Sequence, residues 1–202
     1  MNLPPNEIVA LLIAVSFAAG LNVYATVGTL GLLGHFKVIA LPASLHLLTS
    51  WPIIVAAVAL FAVEFFADKV PAFDLVWNAL HTFIRVPIAA LLAFQAASSL
   101  SPGEQLAATL AGGLIAFIAH GGKTAVRAAV TPSPEPVSNI TLSMGEDALA
   151  VFLTWMATWK PYIAAAIAAV LLIVVLVMIR VVWKAFRALF GGAPQQVSKT
   201  AS

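Results

Sequence analysis

The sequence predicts an all-α fold, a polytopic bundle of about six transmembrane helices. Of the 202 residues, 62% are hydrophobic and only 9% are charged, whereas a soluble domain carries about a quarter charged residues. Several apolar runs reach the roughly 20 residues that a helix needs to cross a hydrocarbon core of about 30 Å. We therefore expect one membrane domain over residues 1–190, followed by a small, polar, disordered cytoplasmic tail over residues 191–202.

The first predicted span runs from Glu7 to His35, and we expect its helix to bend or break near Gly20 to Asn22 because the middle of this stretch is polar. No Lys or Arg precedes the apolar run, so the sequence does not predict a cleaved signal peptide. Pro52 lies in the first turn of the second span, where its missing N–H costs nothing, and Pro71 follows the end of that span.

The later spans are separated by Pro-, Gly- and Ser-containing connectors. The third is long enough to cross at a tilt, the fourth contains two Gly pairs where another helix can approach closely, and the sixth is the most uniformly apolar. The predicted bounds of spans two to six are Trp51–Asp68, Asp74–Ser99, Glu104–Val130, Ser138–Trp159 and Pro161–Val182.

The distribution of basic residues predicts the orientation. On this six-span arrangement eight Lys and Arg residues fall on one side and only Lys37 and Lys160 on the other. Because basic residues favour the cytoplasmic side, we expect both termini in the cytoplasm and the protein in the inner membrane of the cell. The basic cluster Arg180, Lys184 and Arg187 follows a long apolar run and is typical of a membrane flank, so we expect the lipid bilayer as a partner and no nucleic acid.

Polar residues recur at helical spacing on four of the predicted spans. An unpaired ion near the bilayer centre costs roughly 2.5 to 3.5 kcal/mol, so these faces must point at one another or at water. A structural ion-pair network and a functional site are both compatible with this pattern. The candidate pathway residues are Asn22, Tyr24, Glu64, Asp68, Lys69, Asp74, Asn78, His81, Arg85, His120, Lys123, Arg127, Glu135, Asn139, Ser143, Glu146 and Asp147.

Metal and hydrolase chemistry have weaker support in the sequence. Glu64, Asp68 and Glu146 are candidate ligands for a divalent cation, although no His-x-x-x-His or Glu-x-x-His spacing occurs. No Gly-x-Ser-x-Gly or comparable signature frames a nucleophile. The absence of cysteine excludes disulfides and thiolate chemistry, and we expect no cofactor.

An internal repeat of two helical hairpins is a further possibility. The segments 63–69 and 117–123 each end an apolar span, and each is followed by a Pro-bearing connector and a span with a polar face. The two hairpins would be parallel copies, unlike the inverted repeats of many transporters.

Several stretches resemble a prokaryotic family of integral-membrane proteins, number four-one-two-six among the domains of unknown function. The similarity extends from about Ile8 to Val170 and implies no activity. The stretches that carry it are Gly20-Leu-Asn-Val-Tyr-Ala-Thr26, Glu64-Phe-Phe-Ala-Asp-Lys-Val-Pro71, Trp77-Asn-Ala-Leu-His-Thr-Phe-Ile-Arg85, Ser133-Pro-Glu-Pro-Val-Ser-Asn139 and Gly145-Glu-Asp147. The segment Glu64-Phe-Phe-Ala-Asp68-Lys69 is also similar to the Glu-x-Gly-Asp-Lys motif of small calcium and manganese exchangers, but with a different carboxylate spacing and no Gly.

Three hypotheses for function follow. The leading one is a small transporter or channel for an ion or small polar solute, in which carboxylates bind the substrate or protons, histidines carry protons, and Asn22 and Tyr24 line the outer part of the path. The second is an integral-membrane enzyme that acts on a lipid headgroup or isoprenoid phosphate bound by Arg85, Lys123 and Arg127. The third is a non-catalytic assembly subunit. The small size and the glycine-rich fourth span favour a homo-oligomer.

Overall fold

The computed structural model describes residues 4–69, 71–130 and 136–190, without the side chains of 71–75, 128–130, 136–139, 185, 186 and 188–190. Every regular element in these ranges is helical, which confirms the predicted all-α class. A short 3-10 helix, Ala43–Thr49, precedes the third α-helix. The α-helices are α1 (Pro5–Leu21), α2 (Val23–His35), α3 (Trp51–Ala67), α4 (Pro71–Ala96), α5 (Pro102–Val130), α6 (Pro136–Trp159) and α7 (Pro161–Phe190).

The predicted break in the first helix lies at a single residue, Asn22. Its backbone is extended (φ −150°, ψ 104°), and it separates α1 from α2. The side chain of Asn22 accepts a hydrogen bond from the amide of Ala25 at 2.9 Å and so caps the N-terminus of α2. The break is therefore a capped boundary between two helices, and α2 continues from it in a new direction.

The contacts of α1 fix the direction in which it enters the bundle. The Asn6 amide donates to the Tyr162 hydroxyl at 2.6 Å, so α1 and α7 begin side by side. A shared cavity brings Leu11 near Ala157 and Trp159 at the end of α6. Gly20, at the other end of α1, lies against Ala116 and Ala119 of α5. Helix α1 thus runs from the end of the bundle that holds residues 159–162 to its interior.

Helix α2 returns to the end of the bundle from which α1 came. Gly28 of α2 faces Ala57 and Val58, and Gly31 faces Ile54 and the carbonyl of Leu48, so α2 runs antiparallel to α3 and finishes beside the start of α3. There the His35 ring hydrogen-bonds the Thr49 carbonyl at 2.8 Å. Together α1 and α2 form a re-entrant hairpin whose tip, Asn22, lies inside the bundle.

The prediction that residues 7–35 cross the membrane as one bent span is therefore wrong. Four helices, α4 to α7, are long and apolar enough to cross, and α3 joins them when it is counted with the bent 3-10 helix before it. These five helices alternate in direction. Pro5 and Phe190 consequently lie at opposite ends of the bundle, whereas the expected pair of cytoplasmic termini requires both at the same end. The predicted hairpin repeat stays a prediction.

Helix α1 forms the centre of the bundle. It packs on α4, α5, α6 and α7, and its residues from Ala14 to Leu21 are all buried. The close approach depends on small residues: a Cβ on Gly20 would lie 2.6 Å from the Ala116 carbonyl oxygen, and a Cβ on Gly112 of α5 would lie 2.9 Å from Ser16 Oγ. Large apolar side chains instead cover the outer surfaces of α3, α4, α5 and α7, where they face lipid.

Candidate functional site

Charged side chains from four helices meet next to the tip of the hairpin, Asn22. We call this set the charge cluster and define it by six residues: Glu64, Asp68, Arg85, Lys123, Arg127 and Glu146. Five of these six side chains are completely inaccessible, and only Glu146 keeps a slight exposure of 13%. Among the described side chains, three carboxylates face three basic groups. Such pairing is what allows ions to be buried at this depth.

Arg85 of α4 connects the charge cluster to Asn78 and His120. Its guanidinium pairs with Glu64 and donates to Asn78 Oδ1 at 3.2 Å and to Nδ1 of His120 at 2.7 Å. Because arginine only donates, Nδ1 of His120 must be the unprotonated nitrogen. The Nε2–H of the same ring then donates to the Asn78 carbonyl and the Thr82 hydroxyl, each at 2.9 Å. His120 is thereby held as a neutral imidazole in this arrangement.

Lys123 of α5 forms the centre of the charge cluster. Its ammonium lies 3.0 Å from Asp68, 3.4 Å from Glu146 and 3.5 Å from Glu64, so one cation contacts all three carboxylates. It also donates to the Leu21 carbonyl at 3.2 Å. This carbonyl belongs to the last turn of α1, where the helix dipole favours a cation. The tip of the hairpin thus supplies a ligand to the cluster.

Arg127, one helical turn after Lys123, pairs with two carboxylates of the charge cluster. It contacts Glu146 Oε2 at 2.5 Å and Asp68 Oδ2 at 3.0 Å, and it also donates to the backbone carbonyl of Asp68 at 3.2 Å. Two carboxylates from different helices therefore share one guanidinium, whose planar fork suits such bridging.

Two residues of the hairpin meet the polar faces of α4 and α6. The Asn22 amide donates to Asp147 Oδ1 at 2.8 Å. The Tyr24 hydroxyl hydrogen-bonds Nε2 of His81 at 3.1 Å, and the other ring nitrogen of His81 bonds the Trp77 carbonyl at 2.8 Å. Asn22 and Tyr24 were expected in the outer part of a path. They lie instead at the depth of the charge cluster, because α1 ends there.

The other predicted site residues have different surroundings. Lys69, at the end of α3, donates to the Phe65 carbonyl at 2.7 Å and lies over the Phe65 ring. Ser143 is buried in α6, and its hydroxyl has no hydrogen-bond partner. Glu135 and the side chains of Asp74 and Asn139 lie outside the described residues, as does the predicted tail.

The weak metal candidates Glu64, Asp68 and Glu146 are engaged by Arg85, Lys123 and Arg127 instead. Within the part of the chain that the structure describes, no three His, Asp or Glu residues are grouped so that they could hold a metal ion. Sequence reasoning missed the Leu21 carbonyl as a partner of Lys123. A main-chain ligand leaves no signal in residue identities, but its place beside a predicted helix break was a usable hint.

A groove opens sideways from the bundle beside the charge cluster. It has a volume of about 510 Å³ and lies between α3 and α6, with Asp147 among otherwise apolar and aromatic lining residues such as Phe61, Phe152 and Trp155. Phe152 and Trp155 are exposed on the outer surface of α6, so the groove is open on the outside of the bundle. It therefore connects the neighbourhood of the hairpin tip with the outer surface of the bundle.

One protein-family model matches most of the chain. The family described as domain of unknown function DUF4126 matches residues 9–181. The chain belongs to the DUF4126 family. The match includes the re-entrant hairpin from residue 9 onward and all six members of the charge cluster. No curated protein and no solved structure matches the chain.

Proposed function

We propose that this DUF4126 protein is a transporter that moves an ion or a small polar solute across the membrane through the charge cluster at the tip of the re-entrant hairpin. The observation that carries the proposal is the contact between Lys123 and the Leu21 carbonyl, where a helix ends inside the bundle and meets buried ions. Interrupted helices whose ends meet charges at mid-membrane are the usual way in which transporters build binding sites.

A purely structural role accounts less well for the charge cluster. Burying ion pairs is seldom favourable for stability, since well-packed apolar residues of similar volume often stabilise a protein more. Here six ionised side chains occupy space that apolar residues could fill. Ionisable groups within membrane segments are by default candidates for a functional site.

The described conformation is closed around the charge cluster. Glu64, Asp68, Arg85 and Arg127 are fully buried, so neither side of the membrane has access to them. A transporter that alternates between closed and open conformations agrees with this state better than a permanently open channel. The re-entrant hairpin and α6, joined by Asn22 and Asp147, are the elements whose separation would open a path.

Flux measurements in proteoliposomes test the proposal. We expect the purified protein to move protons, cations, anions or small polar solutes, and Glu146→Gln to lower the initial rate by about tenfold or more, which corresponds to about 1.4 kcal/mol on the limiting barrier. Glu146 is suitable because Asp68 stays on Arg127 and Lys123 when its charge is removed. Exposed Glu104, bonded only to Ser101, gives the matched control Glu104→Gln, which should keep the full rate. The absence of any flux would refute transport, and a variant that loses only stability would favour the assembly subunit.

We further propose that the protein lies in the inner membrane of the cell. Its N-terminus is then outside, and the C-terminal end of α7 is on the cytoplasmic side. The end of the bundle at which α7 finishes carries Arg180, Lys184 and Arg187, and basic residues favour the cytoplasmic side. With the hairpin re-entrant, that rule places the start of the chain on the opposite side.

Because the chain has no cysteine, single-cysteine variants can report this arrangement. In intact cells we expect an impermeant maleimide to label Ser44→Cys and to spare Lys184→Cys until the membrane is permeabilised. The labelling of Asn6→Cys should follow that of Ser44→Cys. Asn6→Cys with the accessibility of Lys184→Cys would contradict the re-entrant hairpin.

The sideways groove is the one observation that favours the alternative, an enzyme acting on a lipid. Its opening would admit a lipid headgroup from the bilayer. The polar group that lines it is, however, the carboxylate of Asp147, while the cations expected to bind phosphate are buried in ion pairs. Anionic lipid that stays with the purified protein and is lost in Arg127→Met would support the enzyme over the transporter.

A further inference from the structure

Asp147 differs from the carboxylates of the charge cluster. It lies near the middle of α6 with an exposure of 5%. Its Oδ1 accepts from the Asn22 amide, and its Oδ2 is buried without a hydrogen-bond partner. Among the described residues no Lys or Arg nitrogen approaches it within ion-pair distance, whereas Glu64, Asp68 and Glu146 each contact at least one cation.

The charge balance of the region depends on the protonation of Asp147. The six described members of the charge cluster comprise three carboxylates and three basic groups. An ionised Asp147 adds a negative charge without an ion-pair partner inside the bundle, which is costly. A protonated Asp147 adds none, and a neutral carboxyl group costs less to bury without a partner at Oδ2 than a carboxylate does.

The groups that face Asp147 come from several helices. Glu64 and Asp68 lie at the end of α3, Lys69 follows them, and Lys123 belongs to α5. Glu146 precedes it on α6, and the hairpin contributes the neutral amide of Asn22. The segment of α7 packed on α6 carries no charged side chain.

We infer that Asp147 is the carboxyl group that takes up and releases a proton in each transport cycle, so that the solute moves together with, or in exchange for, protons. This inference rests on the proposed function. Asp147 lines the sideways groove, and it bonds the tip of the hairpin. A change in its protonation would therefore act directly on the contact that holds α6 to the hairpin.

A hydrophobic carbodiimide tests the protonation of Asp147 without any transport. Dicyclohexylcarbodiimide reacts with a protonated carboxyl group, which adds across one C=N bond and rearranges to a stable acylurea. In the wild-type protein in lipid nanodiscs, peptide mass spectrometry should find the adduct on Asp147, in an amount that falls as the pH rises. Paired Glu64 and Asp68 should stay unmodified. Asp147→Asn should lose the adduct, and Glu104→Gln should keep it.

Flux in proteoliposomes separates this inference from the proposed function. We expect Asp147→Asn to abolish the response of flux to an imposed pH gradient and Asp147→Glu to retain it. Flux that persists with its pH response intact in Asp147→Asn would overturn the role of Asp147 and leave transport standing. Labelling of Asp147 without any flux would support its protonation but refute transport. Labelling on Glu64 or Glu146 instead, or protection of Asp147 by Na⁺ at constant pH, would overturn the assignment of the proton.

Discussion

Replacing Arg85 by methionine is expected to lower the free energy of unfolding by about 3–5 kcal/mol, the typical cost of removing one partner from a buried ion pair. The change leaves Glu64 with Lys123 alone, at 3.5 Å, and removes the donor to Nδ1 of His120. Unfolding in mixed micelles, followed by circular dichroism, measures the difference. This is the largest loss of stability that we predict for a single side chain.

Two variants make that measurement decisive. Arg180→Met removes an exposed arginine near the end of α7 and should change the stability by no more than about 0.5 kcal/mol. The double variant Glu64→Gln/Arg85→Met should recover part of the loss, because the unpaired buried charge is then gone. An Arg85→Met protein as stable as the Arg180→Met control would show that the guanidinium is not buried against Glu64.

Gly20→Ala is expected to destabilise the protein by about 1–3 kcal/mol, as overpacking does in a well-packed interior. The added Cβ would lie 2.6 Å from the Ala116 carbonyl oxygen and 2.8 Å from the Ala119 Cβ. Neither neighbour is the end of a flexible side chain, so α1 and α5 must move apart. Because Gly20 lies two residues before Asn22, the same shift should weaken the contact of Lys123 with the Leu21 carbonyl.

Gly121 of α5 is the matched control for Gly20. A Cβ at Gly121 meets no atom within 4 Å, and alanine is the better helix former by about 1 kcal/mol. Gly121→Ala should therefore be neutral or stabilising when its unfolding is compared with that of Gly20→Ala. Equal effects of the two variants would contradict the close contact of α1 with α5.

Much of the fold could be predicted from hydropathy and helix punctuation. The bounds expected for the spans from Trp51 onward agree with α3 to α7 to within a few residues at most ends, because proline and the polar connectors mark where these helices begin and end. The extra length of α7 beyond Val182 reflects its basic last turns, which hydropathy excludes from a span although they continue the helix.

The course of residues 5–35 could not be predicted in the same way. A polar break in an apolar stretch is compatible with a bent span or with a hairpin, and the choice depends on where α2 finds its partner. The partners are Ala57 and Val58 of α3, which no local pattern near Asn22 indicates. With the hairpin re-entrant, Pro5 and Phe190 are separated by one crossing fewer than in the six-span arrangement.

The charge cluster was largely predictable because residues three and four apart share a helix face. Spacing gave the faces of Arg85 and of Lys123 with Arg127, but it could not say which carboxylate would meet which cation. Glu146 and Asp147 are neighbours in the sequence, yet one joins the charge cluster and the other bonds Asn22. That difference follows from the tertiary arrangement alone.

The hydrogen bond between Asn22 and Asp147 joins residues 125 positions apart, and this separation has a consequence for biosynthesis. During translation the N-terminal segment enters the bilayer long before α6 exists. Asp147, the partner of Asn22, is synthesised only when about three quarters of the polypeptide has been made, so the tip has no partner before then. The seating of this early segment is therefore a late, post-insertion step, and a truncated chain that ends before α6 should leave it unanchored.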